Sequence, residues 1–451
     1  MKKKFSLSGM PDFNPLQIKR REYALSVIRE SFEIFGFSPI QTSIVEKREN
    51  LFGSYGDDGD KLIFQILRSG DYLNKIDINL KNINCNELSS LISDKALRYD
   101  LTVPFARFVS ENQSTINFPF RRYEIGSVFR ADRPQKGRLR QFTQCDADII
   151  GSKSLWLEID LLTLVDYTLN KFGLTNTVIK ISNRKILEGL FESFVSNISF
   201  SKFCIIIDKL DKIGLDKIGE LLLDSGFVQK DINFIKNLFL LEGSFSDKKS
   251  YILSALTIND NLQLGFEELS FLIDNIQKLS LVQNIEIDFS LARGIDYYTG
   301  SIFEVSSLSG NIGSLLGGGR YDQLTEKFHI KDVSGVGVSF GLDRLCLTLD
   351  DAGLFPDDIN NNIDCLFINF GLEEAKISQS YILQLRQFNI SSELYPDSVK
   401  LNKQMNYANK RGAKFVVMIG EEEIKQNKIM LKNMLNGKQE LLSFDELLKI
   451  L

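Results

Sequence analysis

The chain has 451 residues, 43% hydrophobic and 25% charged, with a formal net charge of -5. It is too long for one ordinary core and reads as about three globular domains, while its acidic balance excludes a uniformly cationic nucleic-acid binder. No run approaches the roughly 18 apolar residues of a membrane span, and the single histidine, His329, removes most Ser-His-Asp, Cys-His and multi-histidine zinc chemistries.

The stretch Met1–Phe13 has a basic start but no apolar run of signal-peptide length. Asn14 is the expected N-cap and Pro15 the first-turn residue of a helix. Its apolar positions include Tyr23, Ala24, Val27, Ile28 and Phe32, and Gly36 ends it. "SPIQTSIVE" reads as a strand and "GSYGDDGD" as a surface turn. "LIFQIL", "RRYEIGSVFR" and "RQFTQCDADIIG" read as strands, and "LTVPFARFVSEN" as a helix. The last two of these strands enclose "FRADRPQKGRLRQF", Phe129 to Phe142, as a long hairpin loop with its tip near "PQKG".

Residues 153–172 are strongly helical, and residues 195–280 read as an inserted helical subdomain. Strands return with "NIEIDFSLAR" and "SIFEVSS", and "VSGVGVSFGLDRLCLTLDD" reads as a strand running into a helix. After a break near "LFPDDINNNID", the strands "CLFINF", "KFVVMIG" and "KIMLKNM" alternate with helices near 372–387, 400–411 and 443–450. That alternation predicts a separate small α/β domain. Cys85, Cys145, Cys204, Cys346 and Cys365 have no CxxC spacing and read as isolated thiols of a reducing cytoplasm.

Five of the fourteen residues in the hairpin loop are basic: Arg130, Arg133, Lys136, Arg138 and Arg140. No Walker A spacing exists, and "GVGVSFG" does not match a dinucleotide fingerprint. Phosphates, if bound, must then be met by side chains, and the planar fork of arginine suits phosphate oxygens. Three segments qualify: the hairpin, "SLARGIDYYTG" with Arg293, and "GLDRL" with Arg344. Taken singly, each also fits a solvated loop, a strand-end cation or a helix-surface charge. His329, in "EKFHI", reads as a surface residue at a helix end.

Taken together these segments resemble the histidyl branch of the class II aminoacyl-tRNA synthetases. "FRADRPQKGRLRQFTQCDADIIG" resembles motif 2, "GVGVSFGLDRL" is similar to motif 3, and "LARGIDYYTG" and "GGGRYDQL" resemble the two histidine-specific segments. "ALRYDLTVPFARF" is similar to the substrate-binding loop and helix. The resemblance implies an α+β fold: a class II antiparallel-sheet catalytic core with a helical insertion, plus a C-terminal α/β anticodon-binding domain. The expected divisions are 1–194 and 281–355 for the core, 195–280 for the insertion and 360–451 for the last domain.

The resemblance also implies roles. Arg130 and Arg293 would be catalytic; Arg130, Asp132, Arg138, Phe142 and Arg344 would bind ATP, carried with Mg2+ and with no metal site of the protein's own. Asp148 and Tyr298 would bond an imidazole, Asp100, Thr102 and Gln144 an ammonium, and Tyr321 would close the pocket. The implied activity is adenylation of L-histidine and its transfer to tRNA(His), in a cytoplasmic homodimer without membrane contact. The alternative is the non-catalytic paralogue that regulates ATP phosphoribosyltransferase. Lys400, Lys403, Lys410 and Arg411 would present a basic face to RNA, and the tip from Arg133 to Lys136 would meet the tRNA acceptor end. Two positions depart from the family pattern: "GMPDF" near the start, and Ser43 after Thr42, where motif 1 carries proline.

Overall fold

The computed structural model describes residues 5–72, 84–292, 297–308, 312–360 and 363–451. The chain divides into two compact units, Met1–Leu354 and Phe355–Leu451.

The first unit contains strands β1 (Ser38–Pro39), β2 (Val45–Lys47), β3 (Gln65–Ile66), β4 (Lys95–Leu97), β5 (Phe120–Phe129), β6 (Gln141–Ile150), β7 (Thr177–Asn183), β8 (Asn284–Ile287), β9 (Ser301–Ser307), β10 (Ser314–Tyr321) and β11 (Gly335–Gly341). Eight of them form one sheet in the order β1-β5-β6-β11-β10-β9-β7-β8, and β2-β4-β3 form a small second sheet. The edge pairs β1–β5 and β7–β8 are parallel and every pair between them is antiparallel. Both long hairpin strands run ten residues, and the alternation of β6 places Gln144, Asp146 and Asp148 on one face.

Helices cover the other face. Pro15–Ile34 starts at Asn14, whose side chain accepts from the Gln17 amide while Gln17 returns the bond, a capping box worth about 1 kcal/mol. Trp156–Lys171 buries Leu157, Ile159, Leu161, Leu162, Leu164, Val165 and Leu169. Each contributes about 1.5–3 kcal/mol, and Leu162→Ala would cost about 2–5 kcal/mol. Glu158 on this helix is fully buried and takes the Arg320 guanidinium bidentately, Nε to Oε1 at 2.5 Å and Nη2 to Oε2 at 2.6 Å. That fork ties the helix to β10.

Between Ser199 and Gln277 the chain is helical: Phe200–Ile207, Leu210–Asp224, Gln229–Leu240, Phe245–Ala255 and Asp260–Ile276. The second of these breaks at Gly214, whose φ of +79° no ordinary L side chain adopts readily. Buried Lys248 donates to the Ile287 carbonyl at 2.6 Å and so fastens this segment to β8.

Four expectations need correcting. "SPIQTSIVE" is not one strand: Thr42 turns inward to bond Glu124, splitting the run into β1 and β2. "LIFQIL" shortens to Gln65–Ile66 and "NIEIDFSLAR" to Asn284–Ile287, because only those residues find a ladder partner. "GSYGDDGD" is no surface turn: Gly56–Asp60 is a short helix that carries the buried Tyr55 at its start. At Ser43 the hydroxyl donates to the Val45 carbonyl at 2.8 Å, a local bond that shapes the turn.

The second unit holds β12 (Ile363–Phe367), β13 (Ser392–Leu394), β14 (Ala413–Met418), β15 (Ile429–Asn433) and β16 (Gln439–Leu442) in the order β13-β12-β14-β15-β16. The first three are parallel, joined by the helices Leu372–Gln387 and Leu401–Arg411, and the rest antiparallel. The expected βα alternation is present; β13 and β16 are additions, both short and half-buried. Cys145, Cys204 and Cys365 are buried free thiols and Cys346 is half-buried. His329 is exposed at the left-handed end of the 3-10 turn Leu324–Phe328.

Candidate active site

A cleft of about 870 Å³ lies on the face of β6 that carries Gln144, Asp146 and Asp148, lined as well by Tyr55, Thr102 and residues between 205 and 212 of the helical segment. Residues expected from the sequence converge on it: Asp100, Thr102, Arg130, Asp132, Arg138, Phe142, Gln144, Asp148, Tyr298, Tyr321 and Arg344 all line it. Arg293 lies outside the described residues.

One end of the cleft is the hairpin loop. Arg130 lies with its guanidinium 4.2 Å from the Tyr99 ring and 5.2 Å from the Phe142 ring, and its Nε donates to the Tyr99 carbonyl at 3.1 Å. Stacking and one backbone bond fix the plane of the fork without a carboxylate. At the tip, Gln135 and Arg138 exchange backbone bonds of 3.1 and 2.9 Å across a turn whose Gly137 has φ +72°. Arg344, one turn into the helix Leu342–Asp351, donates Nε to the Gly137 carbonyl and Nη1 to the Ser314 carbonyl, both at 2.8 Å. Arg138 faces Asp132 at 3.3 Å, partly exposed. Neutral carbonyls are weaker acceptors than a phosphate, and the contacts they make orient Arg130 and Arg344 on the lining of the cleft.

The other residues of the loop have distinct places. Arg140 donates to the Asp132 carbonyl at 2.9 Å, and its amide and that of Gln141 bond the Gly9 carbonyl. Arg140 is therefore a brace of the loop, and "SGMP" at the start of the chain is what it braces against. Arg133 and Lys136 are exposed, Lys136 lying 3.6 Å from Asp351.

The floor of the cleft is acidic and dry. Asp148 is 3% exposed, accepts from the Tyr321 hydroxyl at 2.6 Å and lies 2.8 Å from Arg122 Nη2. Gly337 on β11 makes room for it, since a Cβ there would stand 2.0 Å from Asp148 Oδ1. Asp100 accepts from the Tyr55 hydroxyl at 2.9 Å and from the Val103 amide at 3.1 Å. Gln144 donates to the Ser339 hydroxyl at 2.7 Å. Tyr298 packs edge-to-face on Tyr297 with ring centres 4.9 Å apart, against Gly319, where a Cβ would meet its ring at 2.8 Å.

Burial dominates the electrostatics. It pushes the Asp100 and Asp148 carboxyls above the usual range, against the Val103 amide at Asp100 and Arg122 at Asp148. It also raises the Tyr55, Tyr297 and Tyr321 phenols, which stay protonated donors. A floor of buried carboxylates and phenols fits a small cation with ring N–H groups; a rim of oriented arginines fits a polyanion. A reaction between two such bound groups gains from their alignment.

Sequence reasoning missed four contributors. Arg122 and Ser339 sit opposite Asp148 and Asp146 in register, a strand pairing that no local pattern states. Asp146 itself shares the face of Gln144 and Asp148 by the period of two. Tyr55 had no signal, lying in a glycine- and aspartate-rich loop. In the second unit Lys400, Lys403 and Lys410 are exposed, whereas Arg411 pairs with Glu393 at 3.3 Å and is partly neutralised.

Residues 94–345 match the family model described as histidyl-tRNA synthetase, and residues 365–451 the one described as anticodon binding domain. The chain is 47% identical over 442 residues to the histidine–tRNA ligase of Christiangramia forsetii, covering 97% of each. It is 44% identical to that of Bacteroides fragilis, covering 98% of this chain and 97% of the other. The crystal structure of histidyl-tRNA synthetase from Nostoc sp. PCC 7120 superposes with a TM-score of 0.78 at 29% identity, over the whole of both chains. A Bacillus halodurans protein described as an ATP phosphoribosyltransferase regulatory subunit/histidyl-tRNA synthetase shares the fold, with a TM-score of 0.70 at 19% identity.

Proposed function

The chain belongs to the histidyl-tRNA synthetase family of class II aminoacyl-tRNA ligases, and we propose how its cleft carries out the two steps of that family. L-Histidine and ATP react to histidyl-adenylate and pyrophosphate, and the histidyl group then passes to the terminal ribose of tRNA(His). The observation that carries this reading is the meeting, in one cleft, of a buried acidic floor with a rim of carbonyl-held arginines.

The substrate carboxylate is already a nucleophile, so attack on the α-phosphorus needs no general base. It needs neutralisation of charge on the phosphoryl oxygens as the bond to the pyrophosphate oxygen breaks. Arg130, fixed over Tyr99, takes the α-phosphate and the substrate carboxylate. Arg344 exchanges its carbonyl partners for the triphosphate, and Arg138 leaves Asp132 for the outermost phosphate. Phe142 and Asp132 flank the adenine. Arg293 is assigned to the α-phosphate as a second catalytic cation. Magnesium would enter with ATP as part of the substrate and would supply positive charge to its phosphates. In the second step the ribose hydroxyl attacks the acyl carbon and AMP leaves.

Asp148 and Tyr298 receive the imidazole, with Tyr321 and Arg122 holding Asp148 in place. Asp100, Thr102 and Gln144 receive the ammonium. A substrate of similar size without ring N–H groups leaves Asp148 short of a donor, which costs it more than it costs histidine. The exposed lysines 400, 403 and 410 and the hairpin tip, Arg133 to Lys136, are assigned to the tRNA, as is the helical segment 195–280. A cytoplasmic homodimer, with catalytic parts 1–194 and 281–355 and an anticodon-binding part 360–451, belongs to the same reading. The regulatory-paralogue alternative has less support, since relatives at 40–47% identity over nearly their full length are named histidine–tRNA ligases.

The test is ATP–pyrophosphate exchange by the purified chain. Exchange that saturates with histidine and is not supported by glutamine or phenylalanine is expected; exchange no higher with histidine than without it contradicts the proposal.

A further inference from the structure

Four carboxylates lie buried on the floor of the cleft or just beneath it, and they are not equally satisfied. Glu124 accepts from Arg98 Nη1 at 2.8 Å and from the Thr42 amide and hydroxyl at 3.0 Å. Asp148 accepts from Tyr321 on Oδ1, while its Oδ2 lies 2.8 Å from Arg122 Nη2 as an ion pair without a hydrogen bond, and Asp100 has Tyr55 and the Val103 amide. Asp146 is 1% exposed and bonds the Ser339 hydroxyl, but its Oδ1 has no donor. The neighbouring Gln144 on the same strand face is in a like state: its amide nitrogen is used on Ser339 while its buried Oε1 has no donor.

Both residues line the cleft. An orphaned buried carboxylate oxygen is costly and is retained where something else supplies the donor. No residue paired in register supplies the donor: Asp146 faces Glu124 on β5 and Ser339 on β11, an acceptor and a hydroxyl already engaged, and Gln144 faces Gly126 and Gly341. A primary ammonium offers three N–H donors and one positive charge. Gln144 Oε1, Asp146 Oδ1 and a carboxylate oxygen of Asp100 offer three acceptors and more than enough negative charge.

We propose that Asp146 is a specificity-determining residue for the amino-acid substrate, its Oδ1 accepting a hydrogen bond from the α-ammonium alongside Gln144 and Asp100. The inference rests on the histidine reading and deepens it. Arg98 is committed to Glu124, and Arg122 attracts the Asp146 carboxyl without bonding its Oδ1, so the ammonium is what supplies that oxygen with a donor. Geometry and charge thus give the floor two halves, one for the ring and one for the amine.

The test compares histidine with 3-(imidazol-4-yl)propionate, which keeps the ring and carboxylate but lacks the ammonium. In pyrophosphate exchange, Asp146→Asn should raise the KM for histidine roughly 10- to 100-fold, with the KM for ATP unchanged. Inhibition by the propionate should be the same in variant and wild type. Equal weakening of both ligands, as a merely structural residue would give, overturns the proposal, and so does an unchanged histidine KM. Wild-type exchange no higher with histidine than without it would instead remove the parent reading, and is measured first.

If the variant does not melt cooperatively, calorimetry on the wild type decides. Burial pushes Asp146 up to about 8, with Asp148 and Asp100 adding to it and Arg122 and Ser339 opposing. An ammonium docking there at pH 7 expels a proton. After correction for the ring titration of each free ligand, histidine should therefore release more protons than the propionate in buffers of different ionisation enthalpy; equal corrected release overturns the proposal.

Discussion

The hairpin of β5 and β6 carries two charge regimes within one element. Its loop end holds Arg130 and Arg138, partly exposed and oriented by rings, carbonyls and one loose aspartate. Its strand end holds Asp146 and Asp148, sealed from water beside Arg122. The difference lies in what each must recognise. A triphosphate brings several charges and binds where cations are poised and wet enough to exchange partners. A small zwitterion is told from its neighbours where buried groups are unforgiving of a missing partner.

If the floor is rigid because its charges are buried together, removing one should cost stability as well as histidine binding. Asp148→Ala leaves Arg122 buried and unpaired and should cost about 3–5 kcal/mol in denaturant unfolding. A loss below about 1 kcal/mol would break the contrast with the rim. The rim should behave oppositely. Arg344→Ala removes bonds to neutral carbonyls, so stability should fall by less than in Asp148→Ala, while kcat of pyrophosphate exchange falls about 100- to 1000-fold. Stability lost in step with activity would show that Arg344 serves the loop and not the nucleotide.

How far this contrast was legible in the sequence depends on its range along the chain. The rim is local: Arg130, Arg138 and the turn at Gly137 lie within nine residues, and the motif displays them. Part of the floor was legible by alternation, as Gln144 and Asp148 share a strand face. Its partners were not. Arg122 meets Asp148 only through strand pairing, and Tyr55 reaches Asp100 across 45 residues from a loop that reads as solvated. The short strands failed for the same reason: β1, β3 and β8 exist only where a neighbour pairs them, which no local pattern states.

Finer substitutions sharpen the comparison. Tyr321→Phe removes one donor from Asp148 and should cost about 1.5–3 kcal/mol, read as a lower unfolding midpoint and a raised histidine KM. Asp132→Ala frees Arg138 from a partly exposed pair and should cost less than about 1 kcal/mol.

The smallest effect is on pH. Asp100, Asp146 and Asp148 have folded-state pKa values above their unfolded ones, because burial disfavours the ionised carboxylate. Their contribution to stability is therefore fully present below the ordinary carboxylate range near 4. It is lost as pH rises towards the value of about 8 reached by Asp146. Histidine should offset that loss, so the rise in Tm it produces should grow with pH across this window. A ligand-induced shift that shrinks would contradict the charge assignment.

The most direct measurement is a crystal structure of the full chain with histidine and a non-hydrolysable ATP analogue. The imidazole should sit against Asp148 and Tyr298, the ammonium against Asp100, Gln144 and Asp146, and the phosphates on Arg130, Arg138 and Arg344, with Arg344 released from the Gly137 carbonyl. An imidazole turned towards the arginine rim, or a triphosphate bound with those three arginines still on their present partners, would contradict the division of the cleft.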